Sequence, residues 1–261
     1  MHKKRLIFTL LFKDNSFYLS RNFRLQKIGN INWLSKNYNF STIGSSIDEL
    51  IILNVGVEQD LEEFIDAVNE ISKHCFAPIA LGGGIRSLKD AEYLFSNGAD
   101  KIVINSILET DQRLVSDIIS KYGSQSVIAS IDYKVNDKKS EVPFIFNGKR
   151  AVDYLLKDYM HKIISMNVGE IYLNSIDRDG TGNGYDFDTV ENLITDVEIP
   201  VILAGGAGNP NHLLEGLSKA NIDAASTANL LNFVGDGLPK ARNYLLEMDV
   251  PLADWRDDAD V

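Results

Sequence analysis

PIALGGGIRSLKDAEYLFSNGADKIVINSI, residues 78–107, holds a fold in miniature. A short β-branched run stops at three glycines, and an amphipathic segment opening on Ser87 follows. Gly98-Ala99-Asp100 then turns the chain into a second apolar run that ends at Asn105-Ser106. This reads as strand, glycine turn, helix, strand, with parallel strands joined through a crossover helix. PVILAGGAGNPNHLLEGLSKANIDAASTANL, residues 200–230, repeats the pattern. Gly82 to Gly205, Asp100 to Asp223 and Ser106 to Asn229 keep one common offset, and Glu49 in DELIILN answers Glu170 in GEIYLNS.

Working outward, eight such runs appear: RLIFTLLF, ELIILNV, PIALGGG, KIVINS, VIASIDY, EIYLNS, PVILAGG and DAASTAN. Helix-like stretches, such as Leu61 to His74 and Asp111 to Tyr122, lie between them. Continuous apolar runs mark parallel strands buried on both faces. Eight β-then-α units predict an α/β fold, a single (β/α)₈ barrel domain over 1–261 with functional groups after the strands' C-terminal ends. The repeat divides it into half-barrels of about 1–123 and 124–250, with 251–261 as an acidic, solvated tail. Glycine turns after strands 3 and 7 let the backbone approach an anion at a helix N-terminus. They predict two phosphate sockets: Gly83, Gly84, Asn105 and Ser106 in one, Gly205, Gly206, Ala228 and Asn229 in the other. The expected ligand carries two phosphates.

Composition excludes several classes. A net charge of −11 does not suit nucleic acid or an anionic membrane, which reward clustered Lys and Arg. No apolar run approaches the length of a membrane span. MHKKRLIFTLLF faintly imitates a signal peptide, but charged Lys13-Asp14 follow and no small-residue cleavage site does, so a cytoplasmic protein is expected. The lone Cys75 reads as buried filler, and the four histidines have no metal-ligand spacing, so no metal site is expected.

GGGIRSLKDAEYLFSNGADKIVINS, YGSQSVIASIDYK, SIDRDGTGNGYD and PVILAGGAG together resemble the cyclase subunit of imidazole glycerol phosphate synthase, over nearly the whole chain. The resemblance implies a barrel that receives ammonia from a glutaminase on its N-terminal face and passes it along the axis. At the C-terminal face the family splits and cyclises a bisphosphorylated intermediate of histidine synthesis, with two facing aspartates as general acid and base, and the resemblance implies no metal or redox cofactor. Asp132 fills the strand-5 position, Asp179 matches a substrate-site carboxylate, and the strand-1 aspartate is replaced by Leu11. Other departures are Leu19 for a lysine in the mobile loop NSFYLSRNF, Asn54 for the strand-2 aspartate, Asn174 for the strand-6 threonine and Ala204 for a serine.

The opposite face keeps the pattern. Arg5, Glu49, Lys101 and Glu170 fall on the family's charged ammonia gate, and Asp100 and Gln125 on positions used against the glutaminase. Gly180 to Gly184 suggests a flexible lid. A divergent relative is therefore expected, with ammonia transfer kept and the acceptor changed. One branch of the family supplies a separate ATP-dependent amidotransferase that turns an acetamido sugar into an acetamidino sugar of a surface polysaccharide. The alternatives are a histidine-pathway lyase in which groups such as Asp14 compensate for Leu11, and a non-catalytic scaffold that activates its glutaminase, a class I enzyme with its own Cys-His-Glu triad.

Overall fold

The computed structural model describes residues 3–56, 61–228 and 236–253. Eight parallel strands, β1 (Arg5–Lys13), β2 (Glu49–Asn54), β3 (Ile79–Gly82), β4 (Lys101–Ile104), β5 (Val127–Val135), β6 (Glu170–Ser175), β7 (Val201–Ala204) and β8 (Ala224–Thr227), pair in sequence order. The sheet closes where β8 pairs with β1, so no barrel strand is left with an open edge. The runs predicted as strands are these eight.

The alternation hidden in the continuous apolar runs appears once the barrel closes. Leu6, Phe8, Leu10, Leu50, Ile52, Leu81, Ile102 and Ile171 join the large cluster between the sheet and the surrounding helices. Ile7, Ile51, Ala80, Val103, Ile128, Tyr172 and Ile202 form a separate cluster on the axis. Both faces are thus buried, and strict hydrophobic-polar alternation would have been the wrong signal. The helices follow their own period: Leu61–Ser72 buries Phe64, Ile65, Val68 and Ile71 and keeps Glu62 and Glu63 in its first turn, where the helix dipole favours acid. Leu88–Ser96 starts with a capping box of Ser87 and Asp90.

Three aspartates fasten the lower end of the barrel in the same way. Leu6 N–H donates to Asp48 Oδ2 at 2.7 Å, Ile79 N–H to Asp100 Oδ2 at 2.8 Å, and Val201 N–H to Asp223 Oδ2 at 3.0 Å. Each aspartate's own N–H bonds back to the carbonyl of the same residue. The Asp100–Asp223 match in the repeat is therefore structural. The glycine match is corrected by one residue. Gly83 and Gly205, not Gly82 and Gly205, sit beside the carbonyl that ends the preceding strand, where an added Cβ would lie 1.9 Å from Asn54 O and 2.6 Å from Ser175 O. Pro78 and Pro200 share this shorter offset, so the extra residue of the second unit falls between its glycine turn and Asp223.

The loop after β1 forms a hairpin, Ser16–Arg21 with Arg24–Gly29, continuing antiparallel from β1. Asn22 and Phe23 both have positive φ, 50° and 61°, the backbone a tight two-residue turn needs. A second hairpin continues β5 through Glu141–Ile145 to Arg150–Ala151. Among the described residues no helix is long and apolar enough to cross a membrane. Replacing Asp223 with alanine strands the Val201 amide at the strand start, and is expected to lower unfolding free energy by about 1–2 kcal/mol in urea titration, with Asp223→Asn restoring part of it through its remaining acceptor.

Candidate functional site

Because inward side chains recur every second residue, the barrel interior is a stack of layers. At the bottom, Arg5 Nη1 donates to Glu49 Oε2 at 2.8 Å and Nη2 to Glu170 Oε2 at 2.7 Å. Lys101 Nζ reaches Glu49 Oε2 at 3.1 Å and Glu170 Oε1 at 2.6 Å. Two cations and two carboxylates from four strands thus form one closed ring. Glu49 is 3% exposed, and its Oε1 has no partner. Burial, partly countered by Lys101, pushes the Glu49 carboxyl up, with Glu170 adding to the rise. Glu170 is also raised by burial, but Arg5 and Lys101 together outweigh that and hold it below the usual range. Coupled carboxylates sharing two cations behave in this way, the better-paired one keeping the charge.

Above the ring lies the apolar layer of Ile7, Ile51, Val103, Ile128 and Ile202, and above that three hydroxyls. Thr9 Oγ1 and Ser226 Oγ are 2.8 Å apart, and Tyr172 Oη lies 3.3 Å from Thr9 and 3.4 Å from Ser226. These three, with Ser130, form the floor of a cavity of about 670 Å³ that opens toward the C-terminal strand ends. The sequence reading passed over this layer. Its only signal was Thr9, Tyr172 and Ser226 at inward positions of otherwise apolar strands.

The predicted phosphate residues Gly83, Gly84, Asn105, Ser106, Gly205, Gly206 and Ala228 all border this one cavity, as does Asn174; Asn229 lies outside the described residues. The two turns differ in what sits behind them. At the first, Asp90 Oδ2 accepts from Arg86 N–H and Ser87 N–H, both at 2.8 Å, so part of that helix start is already neutralised by the chain's own carboxylate. At the second, the helix is capped through His212 N–H by the neutral side chain of Asn209.

Asp132 stands on the upper layer, 8% exposed, and accepts from Asn174 Nδ2 at 3.0 Å and Asn105 Nδ2 at 3.2 Å. Burial dominates: it raises the carboxyl to about 7 against the Asn174 hydrogen bond, and the negative charge of Asp179 adds to the rise. Asp132 pairs across the sheet with Asn174. In the other half of the barrel the corresponding pair is Leu11 and Leu53. One side of the mouth is polar and ionisable, the other aliphatic.

Among the described residues, the other carboxylates that line the cavity, Asp111 and Asp179, are each already bonded to the chain's own donors. Asp14, the expected compensator, belongs to the turn after β1, with a side chain 65% exposed and paired to Lys13. Asp179 lines the cavity but holds the first hairpin, accepting from Ser20 Oγ at 2.5 Å and Phe23 N–H at 3.0 Å. Burial raises its carboxyl while the Ser20 and Phe23 bonds pull it down. Gly180, expected in a flexible lid, packs where an added Cβ would be 1.9 Å from Ser20 O. The hairpins meet above the cavity, Gly148 of the second against the Phe23 ring of the first, and Asn147 Nδ2 donates to Val55 O at 3.0 Å. Ser20, Phe23 and Leu25 line the cavity, whereas Leu19 does not. At the lower end Asp100 serves its own backbone as described, and Gln125 is exposed. Among the described residues no group of His, Cys, Asp and Glu could hold a metal ion, and Cys75 is buried.

The family model for "Histidine biosynthesis protein" matches residues 35–235. The chain belongs to this family. It is 45% identical, over 98% of its length and 95% of the relative's, to a protein provisionally named imidazole glycerol phosphate synthase subunit hisF2 in Parasynechococcus marenigrum (strain WH8102). Relatives named imidazole glycerol phosphate synthase subunit HisF, from Pelodictyon phaeoclathratiforme (strain DSM 5477 / BU-1) and Chlorobaculum tepidum (strain ATCC 49652 / DSM 12025 / NBRC 103806 / TLS), are 35% and 34% identical. Each alignment spans 96% of this chain and 98% of the relative. The family resemblance read from the glycine turns and SIDRDGTGNGYD therefore extends along the whole barrel.

A raised carboxyl has a definite consequence for stability. The Asp132 folded-state value of about 7 exceeds the unfolded value of about 3.9, so the stability it contributes is complete below about pH 4 and is lost as pH climbs to about 7. In denaturant titrations the gain of Asp132→Asn over the unsubstituted chain is expected to grow by about 2–3 kcal/mol from pH 5 to pH 8. A pH-independent difference would show that this carboxyl is not the buried acid described.

Proposed function

We propose that this barrel is the ammonia-handling subunit of a glutamine-dependent amidotransfer complex and does not itself carry out the family's cyclisation. The observation that carries the reading is Leu11, with Leu53 beside it, standing where the two-fold repeat would place a partner for Asp132. Two-sided acid-base work on a closing ring needs a proton donor and a proton acceptor on opposite walls, and an aliphatic wall supplies neither. Asp132, near neutral pKa and held by Asn105 and Asn174, can exchange a proton with a ligand on one side only.

The lower face supports the ammonia half. Arg5, Glu49, Lys101 and Glu170 would act as the gate, since a ring of paired charges at a barrel end costs desolvation that an all-apolar plug would avoid. Asp100 and Gln125 would lie against a class I glutaminase supplying the ammonia. Gly83, Gly84, Ser106, Gly205, Gly206 and Ala228 would hold a phosphorylated ligand, with Asn105, Asn174 and Asp179 among its polar neighbours. The acceptor in this reading is a surface-polysaccharide sugar, whose acetamido group a separate ATP-dependent amidotransferase converts to an acetamidino group.

The second reading is a histidine-pathway lyase, favoured by the relatives named imidazole glycerol phosphate synthase subunit HisF. One assay separates the two. Purified protein given the bisphosphorylated histidine intermediate and ammonium salt is expected to form no imidazole glycerol phosphate, and turnover there would overturn our reading. With its glutaminase and [amide-¹⁵N]glutamine, label is expected in an amidinated sugar only when the separate amidotransferase and ATP are present.

A further inference from the structure

We infer that Thr9, Tyr172 and Ser226 form an inner gate on the barrel axis, a binding station for neutral ammonia whose moving leaf is the Tyr172 ring. The inference rests on the ammonia reading above and adds a second barrier to it, one that the ionic ring does not account for.

The position comes from the stacking. The lower end of the cavity is bordered by Thr9, Ser130, Tyr172 and Ser226 and by Val103 of the apolar layer, and none of the ring residues or of that layer's isoleucines borders it. A solute moving from the ring to Asp132 therefore enters the cavity between Val103 and the hydroxyl layer. Tyr172 is 5% exposed and is the bulkiest member of that layer. Its two bonds, 3.3 and 3.4 Å, are long for O–H···O contacts, while Thr9 and Ser226 hold each other at 2.8 Å. Removing the phenol leaves the other two paired, and the cavity above has room for a displaced ring.

The chemistry selects the solute. Ammonia has one lone pair and three N–H donors, so it can accept from the phenol and donate to the Thr9 and Ser226 oxygens, replacing both long bonds. An ammonium or potassium ion would have to shed water in a layer without charge and above one made of isoleucines, at a cost the hydroxyls do not return. Burial keeps the phenol protonated, with Thr9 and Ser226 countering only in part, so it remains a neutral donor up to about pH 12.

The test needs neither partner nor acceptor. In protein carrying [¹³Cε]tyrosine, the Tyr172 signal is assigned by its loss in Tyr172→Phe and followed during titration with ammonium chloride at a pH where a sizeable share is neutral. We expect a saturable shift that potassium chloride at equal ionic strength does not produce, weakened at least tenfold in apparent affinity in Thr9→Val, a near-isosteric change that removes one acceptor. No shift, an equal shift with potassium, or an unchanged response in Thr9→Val overturns the gate. The outcome is separable from the function above: a silent Tyr172 while glutamine nitrogen is still delivered overturns the gate alone, whereas a responding Tyr172 without delivery upholds the station and removes the conduit.

Discussion

Closure of the parallel sheet is the constraint from which the other features follow. With β8 bonded to β1, each strand is fixed in height against its neighbours, and every second side chain must fill the axis at a set level. The ionic ring, the isoleucines, the hydroxyls and Asp132 are four consecutive levels of that stack. None of them can shift by a residue without turning outward-facing leucines into the interior and interior charges into the helices. The aspartates at 48, 100 and 223 hold this register from below, each tying a strand start to the strand before it in sequence or in space.

Two halves built on one plan make departures from symmetry informative. The ring keeps it: Glu49 and Glu170 occupy equivalent places, each bound by the same two cations. The mouth breaks it, with Asp132 and Asn174 facing Leu11 and Leu53. Burying an unpaired carboxylate costs energy, and here it is met by two amides and by a shift toward the protonated form. The leucines on the other side need no such arrangement, and they remove the groups that would answer Asp132 across a bound ligand.

Much of this was legible in the residues. β-branched runs alternating with amphipathic segments gave the eight strands, and the paired glycine turns gave a cavity between them. The glycine register was misjudged by one because identical letters at a constant spacing looked stronger than the proline anchors, and backbone approach to Asn54 and Ser175 decides it. The first hairpin was hidden because NSFYLSRNF lacks the Asn-Gly or Asp-Gly signal and puts Phe23 at positive φ. That Asp179 fastens the hairpin was not legible in SIDRDGTGNGYD, because its partners, Ser20 and Phe23, lie far away in sequence. The hydroxyl layer was unreadable for a similar reason: Thr9, Tyr172 and Ser226 come from three strands, and each alone is an unremarkable strand residue.

The meeting of Phe23 with Gly148 above the cavity and of Thr9 with Ser226 beneath it has a consequence for timing. On the ammonia reading proposed above, a chamber between these two contacts would work as an airlock. In the proposed reading, a single small molecule held there would occupy about 670 Å³, an effective concentration on the order of molar, far above what dilute solution offers. Escape and reaction would then compete on the clock of hairpin opening rather than of diffusion.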